Sequence, residues 1–398
     1  MKILVHITFL VAMLVAISCE RDDIQDTVPS DATRPIRFES QSEWPEITKA
    51  PIRNVGDLLG DGFRVWGAWA KDPDDNSYFV GEYSTGSNGF VFGAEGTVVY
   101  ADDVDENDDF DPVASEDTWS YDNERNWYRG YYSFAAILPE SAIGNGQEAT
   151  VKSASLSSSF TKTGSGNEIQ IAYTNTLNIT FPSTGLVLGG HNINKAIEVP
   201  ETTQKDIMFA FQTEDNSDNQ SENVALNFTH AFARLGIKLL ANDHAKMPFV
   251  TKVTLYGLYR SATTMTLTQN TTVQNYRTQS AKTTTTNTYS LNGSLSTEDQ
   301  SFAIFTMPDG HYENDVTPGD MTLVQKLVVF PQSLAEKPLM IKMEYKKPIP
   351  GEPGDTPQYT EETYAYTITL SKGNLEPGGN YVFAFQMDDI NLNETNNN

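Results

Sequence analysis

Over much of the chain, apolar and polar residues exchange places at every step. Leu177, Ile179 and Phe181 alternate with Asn178 and Thr180, and Ile207, Phe209 and Phe211 keep the same spacing. Leu339, Ile341, Met343 and Tyr345 are separated by Met340, Lys342 and Glu344; Tyr364, Tyr366, Ile368 and Leu370 repeat the pattern, as do Tyr381, Phe383, Phe385 and Met387. A period of two buries one face of a strand and wets the other, so these runs predict an all-β fold of antiparallel sandwiches. Clusters rich in Gly, Asn, Ser and Pro at residues 86–89, 144–146, 164–167, 291–293 and 377–380 read as turns between strands. No long amphipathic helix stands out. Residues 230–235 fit either one helical turn or a bend between two strands, the Thr-, Asn- and Gln-rich segment 263–288 reads as an exposed hairpin, and residues 347–357 as a proline-rich loop. Ten polar residues at 213–222 interrupt the pattern, which divides the chain into a first sandwich over 36–213, a second over 222–390 and a polar tail at 391–398.

The N-terminus follows different rules. Residues 1–18 start with Lys2, continue through an apolar run too short to span a bilayer and end in small residues, which is the pattern of a signal peptide. Cys19 follows Ala16-Ile17-Ser18, a stretch that resembles the lipobox of bacterial lipoproteins, so Cys19 is the expected lipidation site. Residues 19–35 are polar and read as a flexible tether.

Composition narrows the chemistry. With 38% hydrophobic and 11% aromatic residues the chain can fill a core. Lys plus Arg total 27 against 53 Asp plus Glu, and a net charge of −26 repels nucleic-acid phosphates. One cysteine and five histidines build neither an internal disulfide nor a zinc cluster. None of the hydrolase, metalloprotease, phosphate-loop or dinucleotide motifs is present, so no enzyme activity and no cofactor is expected. His230 reads as a structural residue at a strand end. In the acidic stretch Asp103, Asp105 and Asn107 match the first three ligand positions of a calcium loop, but Asp108 replaces the turn glycine and Ala114 the bidentate glutamate. A solvated acidic loop is the reading, with weak calcium binding as the alternative. Trp66, Trp69, Trp119, Trp127, Tyr128, Tyr131 and Tyr132 are either core residues or, if exposed, platforms for sugar stacking; alternation sends many of them inward.

Several landmarks resemble the fimbrillin family, the lipoprotein pilins of Bacteroidota that build type V pili. Ile36-Arg37-Phe38-Glu39-Ser40 is similar to the family's first strand, followed by a loop with Lys49-Ala50 and then Gly62-Phe63-Arg64-Val65-Trp66-Gly67-Ala68. Phe134-Ala135-Ala136-Ile137-Leu138-Pro139 and Gln204-Lys205-Asp206-Ile207-Met208-Phe209-Ala210 resemble later elements of the first domain. In the second half, residues 224–235, Val329-Phe330-Pro331-Gln332 and Leu375-Glu376-Pro377-Gly378-Gly379-Asn380-Tyr381 keep the family's order. Glu20-Arg21-Asp22-Asp23 looks like the acidic signal that directs such lipoproteins to the outer face of the outer membrane.

The resemblance implies two transthyretin-like sandwiches, a surface-exposed lipoprotein of the cell outer membrane and fimbrium, and a role in adhesion. It also implies assembly with other fimbrial subunits: a protease cuts behind the first strand, the strand carrying Ile36, Phe38 and Ser40 leaves, and a neighbour's strand fills the groove. Implied partners are therefore other subunits, the outer membrane through lipid, and a host or bacterial surface ligand. Lys49 stands where the family has its cleavage arginine, so an Arg-specific protease would use Arg53 or Arg37; Arg34 precedes Pro35. The chain ends in DDINLNETNNN without a further apolar strand, which fits a non-polymerising anchor or accessory subunit as the alternative. A surface glycan-binding lipoprotein is the alternative from a different class, and a hydrolase the third.

Overall fold

The computed structural model describes residues 35–41, 62–70, 89–92, 95–102, 118–128, 130–138, 150–163, 168–181, 207–216, 223–240, 248–274, 281–306, 321–349 and 358–386. Strands account for nearly all of this. The first half supplies β1 (Arg37–Gln41), β2 (Phe63–Ala70), β3 (Gly89–Phe90), β4 (Thr97–Asp102), β5 (Thr118–Ser120), β6 (Tyr131–Leu138), β7 (Thr150–Thr163), β8 (Glu168–Thr180) and β9 (Met208–Asp215). There follow β10 (Asn223–Asn227), β11 (Thr229–His230), β12 (Ala233–Leu240), β13 (Phe249–Tyr256), β14 (Tyr259–Gln274), β15 (Lys282–Leu295), β16 (Phe302–Thr306) and β17 (Met321–Val329). The chain finishes with β18 (Gln332–Ser333), β19 (Leu339–Lys346), β20 (Pro348–Ile349), β21 (Gln358–Tyr359), β22 (Tyr364–Leu370), β23 (Asn374–Leu375) and β24 (Asn380–Gln386). Among the described residues the one helical element is a 3₁₀ turn at Glu298–Gln300.

The all-β expectation holds, and the alternating runs fall on β8, β9, β19, β22 and β24. Residues 231–232 form a bend between β11 and β12. β14 and β15 pair antiparallel along their whole length, so the threonine-rich segment is a hairpin, with residues 282–288 of β15 exposed. One turn expectation fails: Asn292 and Gly293 lie inside β15, opposite Thr264 and Ala262, where the ladder shifts register. A glycine in a strand serves at a bulge as readily as in a turn.

The first sandwich is organised around a sheet in the order β11-β9-β6-β2-β4-β5, with β3 also paired to β2. Every residue of β6 is buried. Its even-numbered residues Tyr132, Phe134, Ala136 and Leu138 join one core with Phe63, Val65 and Trp69 of β2; Ala135 and Ile137 join another with Trp66 and Ala68. A strand covered on both faces reads as a continuous apolar run, which explains why this segment does not alternate. One cover is the two-stranded sheet β1-β10. The other is the sheet β15-β14-β8-β7, whose Leu156, Leu177 and Ile179 share the core with Trp66 and Ile137.

The second sandwich packs β17-β12-β24 against β16-β13-β19-β22. Pairing runs across the polar segment 213–222 at three places: β1 with β10, β9 with β11, and β8 with β14. Gln332 ties two turns of the second sandwich together. Its buried side-chain amide donates to the Gly257 carbonyl (3.0 Å) and to the Lys337 carbonyl (2.9 Å). Gly257 itself has φ +84°, and a Cβ there would strike the Pro338 carbonyl. The Phe330-Pro331-Gln332 stretch is therefore a structural clasp. Gln332→Leu should lose both bonds and leave two carbonyls unpaired, lowering stability by about 2–4 kcal/mol in denaturant unfolding; a change below about 0.5 kcal/mol would show the clasp to be idle.

Candidate functional site

The site is built from the segment that covers one face of the central sheet. β1 runs parallel to β10 in the register Arg37↔Asn223, Phe38↔Val224, Glu39↔Ala225, Ser40↔Leu226 and Gln41↔Asn227. Ile36, Phe38, Val224 and Leu226 are buried, while Arg37, Glu39 and Asn223 are exposed, and the Asn223 amide donates to Glu39 Oε1. Alternation within five residues thus seats one apolar row in the core and leaves a polar row outside.

Phe38 sits in a cage of four rings. Its centroid lies 6.0 Å from Phe63, 6.0 Å from Phe92, 5.8 Å from Tyr121 and 6.0 Å from Phe134, with three of the four contacts edge-to-face. Gly67 of β2 makes this possible, because a Cβ there would lie 3.0 Å from the Phe134 ring and 3.1 Å from that of Phe92. The same core continues through Phe63, which meets Trp119 at 4.9 Å and Phe228 at 5.4 Å.

Among the described residues the far edge of β1 is held at its start. The Ile36 amide donates to the Arg125 carbonyl (2.7 Å), Pro35 bridges Asn126, and the Tyr121 hydroxyl donates to the Ile36 carbonyl (2.8 Å) while accepting from the Arg125 amide (3.2 Å). The loop carrying these groups is fixed from behind. Tyr132 Oη accepts from the Tyr128 amide (2.7 Å) and donates to the Tyr128 carbonyl (2.9 Å), which also accepts from the Asn216 side chain (2.9 Å). Burial pushes the Tyr121 phenol up to about 12, partly offset by its bond to the Arg125 backbone. Tyr132 is pushed up further, again by burial. Both phenols therefore stay protonated and able to donate throughout the physiological range.

Of the residues singled out from sequence, Ile36 and Phe38 meet in the slot, Ser40 stands in register with Leu226, and Arg37 is an exposed residue within the β1–β10 ladder. Cys19, Lys49, Arg53, Asp103, Asp105 and Asn107 lie outside the described residues. Trp66, Trp69, Trp119, Trp127, Tyr128, Tyr131 and Tyr132 are all buried, so they pack the core. His230 is buried at the end of β11. Among the described residues no three His, Cys, Asp or Glu side chains gather as a metal site, and no helix is long and apolar enough to cross a membrane. Tyr121 and Arg125 escaped the sequence reading. Nothing in a lone tyrosine announces a bond to a carbonyl 85 residues away.

No protein-family profile and no curated protein matches the chain. Solved structures similar to it include a candidate cell adhesion protein from Bacteroides fragilis, 10% identical with a TM-score of 0.30, covering 88% of this chain and 92% of that one. A candidate cell adhesion protein from Bacteroides ovatus is 18% identical with a TM-score of 0.31, covering 89% and 92%. A candidate adhesin from Bacteroides ovatus is 10% identical with a TM-score of 0.21, covering 85% and 84%.

Proposed function

We propose that the chain is a structural subunit of cell-surface fimbriae, exported as an outer-membrane lipoprotein anchored at Cys19 and assembled by exchange of β1 for a strand of a neighbouring subunit. The observation that carries this reading is the seating of Ile36 and Phe38 in an aromatic slot by a strand that, among the described residues, pairs with β10 alone. Burial of these two side chains stabilises the plugged state by roughly 3–6 kcal/mol. If β1 leaves, the cage around Phe38 and the edge of β10 are exposed together, and an incoming strand with apolar residues at alternate positions recovers both. Contacts made in this head-to-tail manner do not close on themselves and generate a filament.

A cut at Lys49 or Arg53 follows β1 and leaves it held by its own contacts alone. Arg37 suits the role less well, because its peptide group lies within the ladder. Adhesion to a host or bacterial surface is the role such a filament serves, with other subunits as partners and no nucleic acid, cofactor or catalysis involved.

Proteolysis of the purified precursor by a Lys- or Arg-specific protease should move its N-terminus to Ala50 or Asn54 and permit oligomers on size-exclusion chromatography. The pair Glu39→Cys and Ala225→Cys, set on the outer face at neighbouring strand positions, should keep the oxidised, cut protein monomeric and release assembly on reduction. Cut protein that stays monomeric with β1 removed counts against strand exchange. Phe38→Ala should lower the stability of the precursor by about 3–5 kcal/mol in denaturant unfolding; a loss under about 1 kcal/mol would mean that the cage does not hold the strand.

Alkaline pH tests the Tyr121 latch. Burial raises its folded-state pKa from the ordinary tyrosine value of 10.0 to about 12. Unfolded chains therefore release the proton first, and stability that is complete below pH 10 falls as pH rises toward 12, by on the order of 2 kcal/mol. Tyr121→Phe should flatten that part of the decline relative to the unchanged protein in pH-dependent unfolding. Identical slopes for the two would remove the latch from the account.

A further inference from the structure

A second concavity lies on the other side of the central sheet. It encloses about 440 Å³ between Phe209 and Phe211 of β9 and the inner face of the β14–β15 hairpin, a volume typical of small-molecule sites. Residues on opposite faces of β9 serve the two places. The Met208 and Ala210 side chains enter the core that Phe38 plugs, whereas Phe209 and Phe211 face the cleft, whose lining Ala210 also joins.

We propose that this cleft binds a neutral saccharide. Its apolar part is supplied by the half-buried rings of Phe209 and Phe211, 5.6 Å apart at 64°, and by the Tyr289 ring across from them. A pyranose presents a C–H face that packs on such rings, and hydroxyls around its rim that need donors and acceptors. The cleft supplies these as the amides of Gln269 and Asn287, the Thr229 hydroxyl, and the Glu376 carboxylate, which the Asn374 side chain holds in place at 2.9 Å. Burial foremost, and the Glu376 charge after it, push the Tyr289 phenol up to about 12, so it stays neutral, with its hydroxyl donating to the Leu375 carbonyl (3.4 Å) and its oxygen left to accept.

Two further observations restrict the ligand. Among the described lining residues the ionisable ones are Tyr289 and Glu376, with no Lys, Arg or His, and the chain carries a net charge of −26. Phosphorylated, sulfated or sialylated sugars would enter without a counter-charge. Asn175, Gln269 and Asn287 also form a row of amides in register across β8, β14 and β15. Asn175 is wholly buried, and neither atom of its amide finds a hydrogen-bonding partner among the described residues. An apolar residue would be more stable there if the sheet were only a cover, since an unpaired buried amide costs about 1–3 kcal/mol. Gln269 and Asn287 of this row line the cleft, and Asn175 continues the row on the neighbouring strand β8.

The test is saturation-transfer NMR on the full chain against neutral di- and trisaccharides of glucose, galactose, mannose, xylose, fucose and N-acetylglucosamine, with sialyllactose as the charged comparator. At least one neutral member should bind, with affinity reduced about tenfold or more by Phe211→Ala and by Asn287→Ala and unchanged by Val382→Ala at an exposed position away from the cleft. Asn287 is exposed, so its variant reports on the site even if the Phe211 variant proves poorly folded. The proposal is overturned if no neutral member binds at millimolar concentration, if sialyllactose alone binds, or if Asn287→Ala leaves binding intact. Because the ring side chains of the cleft and the apolar row of the β1 slot come from opposite faces of β9, loss of one reading leaves the other standing.

Discussion

The sheet formed by β9, β6 and β2 is apolar on both faces, and everything else in the first sandwich follows from the need to cover it twice. Tyr132, Phe134, Ala136 and Leu138 point one way from β6, Ala135 and Ile137 the other, and none is exposed. At roughly 25 cal/mol per Å² of apolar surface, neither face of such a sheet can be left to water. The covers differ in how they are attached. The β7–β8 and β14–β15 hairpins form ladders of up to fourteen paired positions and join each other through β8 and β14. The opposite cover is five residues of β1 beside five of β10. A parallel pair of that length contributes little as a ladder, so side-chain burial at Ile36 and Phe38 must hold it.

How far the sequence discloses this depends on whether a feature is periodic or tertiary. β19, with burial alternating over Leu339, Met340, Ile341 and Lys342, is legible because one strand face alone meets the core. β6 is not, because a run such as Phe134-Ala135-Ala136-Ile137-Leu138 is equally compatible with a buried helix segment. Asn292-Gly293 misleads for a related reason, since the same residues serve a turn and a bulge. β1 stands out in the sequence only through the resemblance of residues 36–40 to a family's first strand, and its partner β10 lies more than 180 residues further on with nothing local to name it. Tyr121 and the residues of the saccharide cleft are the extreme case. They come from separate strands and mean something only after the sheets have stacked.

The pairing across residues 213–222 also changes how the two halves relate. Val224, Leu226 and Phe228 belong to the same core as Phe38 and Phe63, although they follow the polar segment that looks like a boundary. A strand from the second half thus forms one wall of the slot in the first. Strain or load reaching β12 through the chain is two residues from β11 and therefore close in sequence to the slot, since β10, β11 and β12 are separated by Phe228 and by Ala231-Phe232.

The slot's chemistry determines how selective any strand exchange can be. Edge-to-face ring contacts contribute about 0.5–1.5 kcal/mol each beyond area, and their geometry tolerates small displacements. A cage of Phe63, Phe92, Tyr121 and Phe134 therefore accepts more than one apolar side chain without repacking. Direction is set elsewhere. β10 is parallel to β1, and the bonds of a parallel ladder are evenly spaced whereas those of an antiparallel one come in narrow and wide pairs. A strand entering in the opposite sense would meet β10 with a different bond pattern and would have to present a carbonyl to Tyr121 and an amide to Arg125 from a different place along its length. Leaving either group buried and unpaired costs about 1–3 kcal/mol, comparable to one apolar anchor. Polarity is thus discriminated by the polar latch at one end, and side-chain identity only weakly by the aromatic cage.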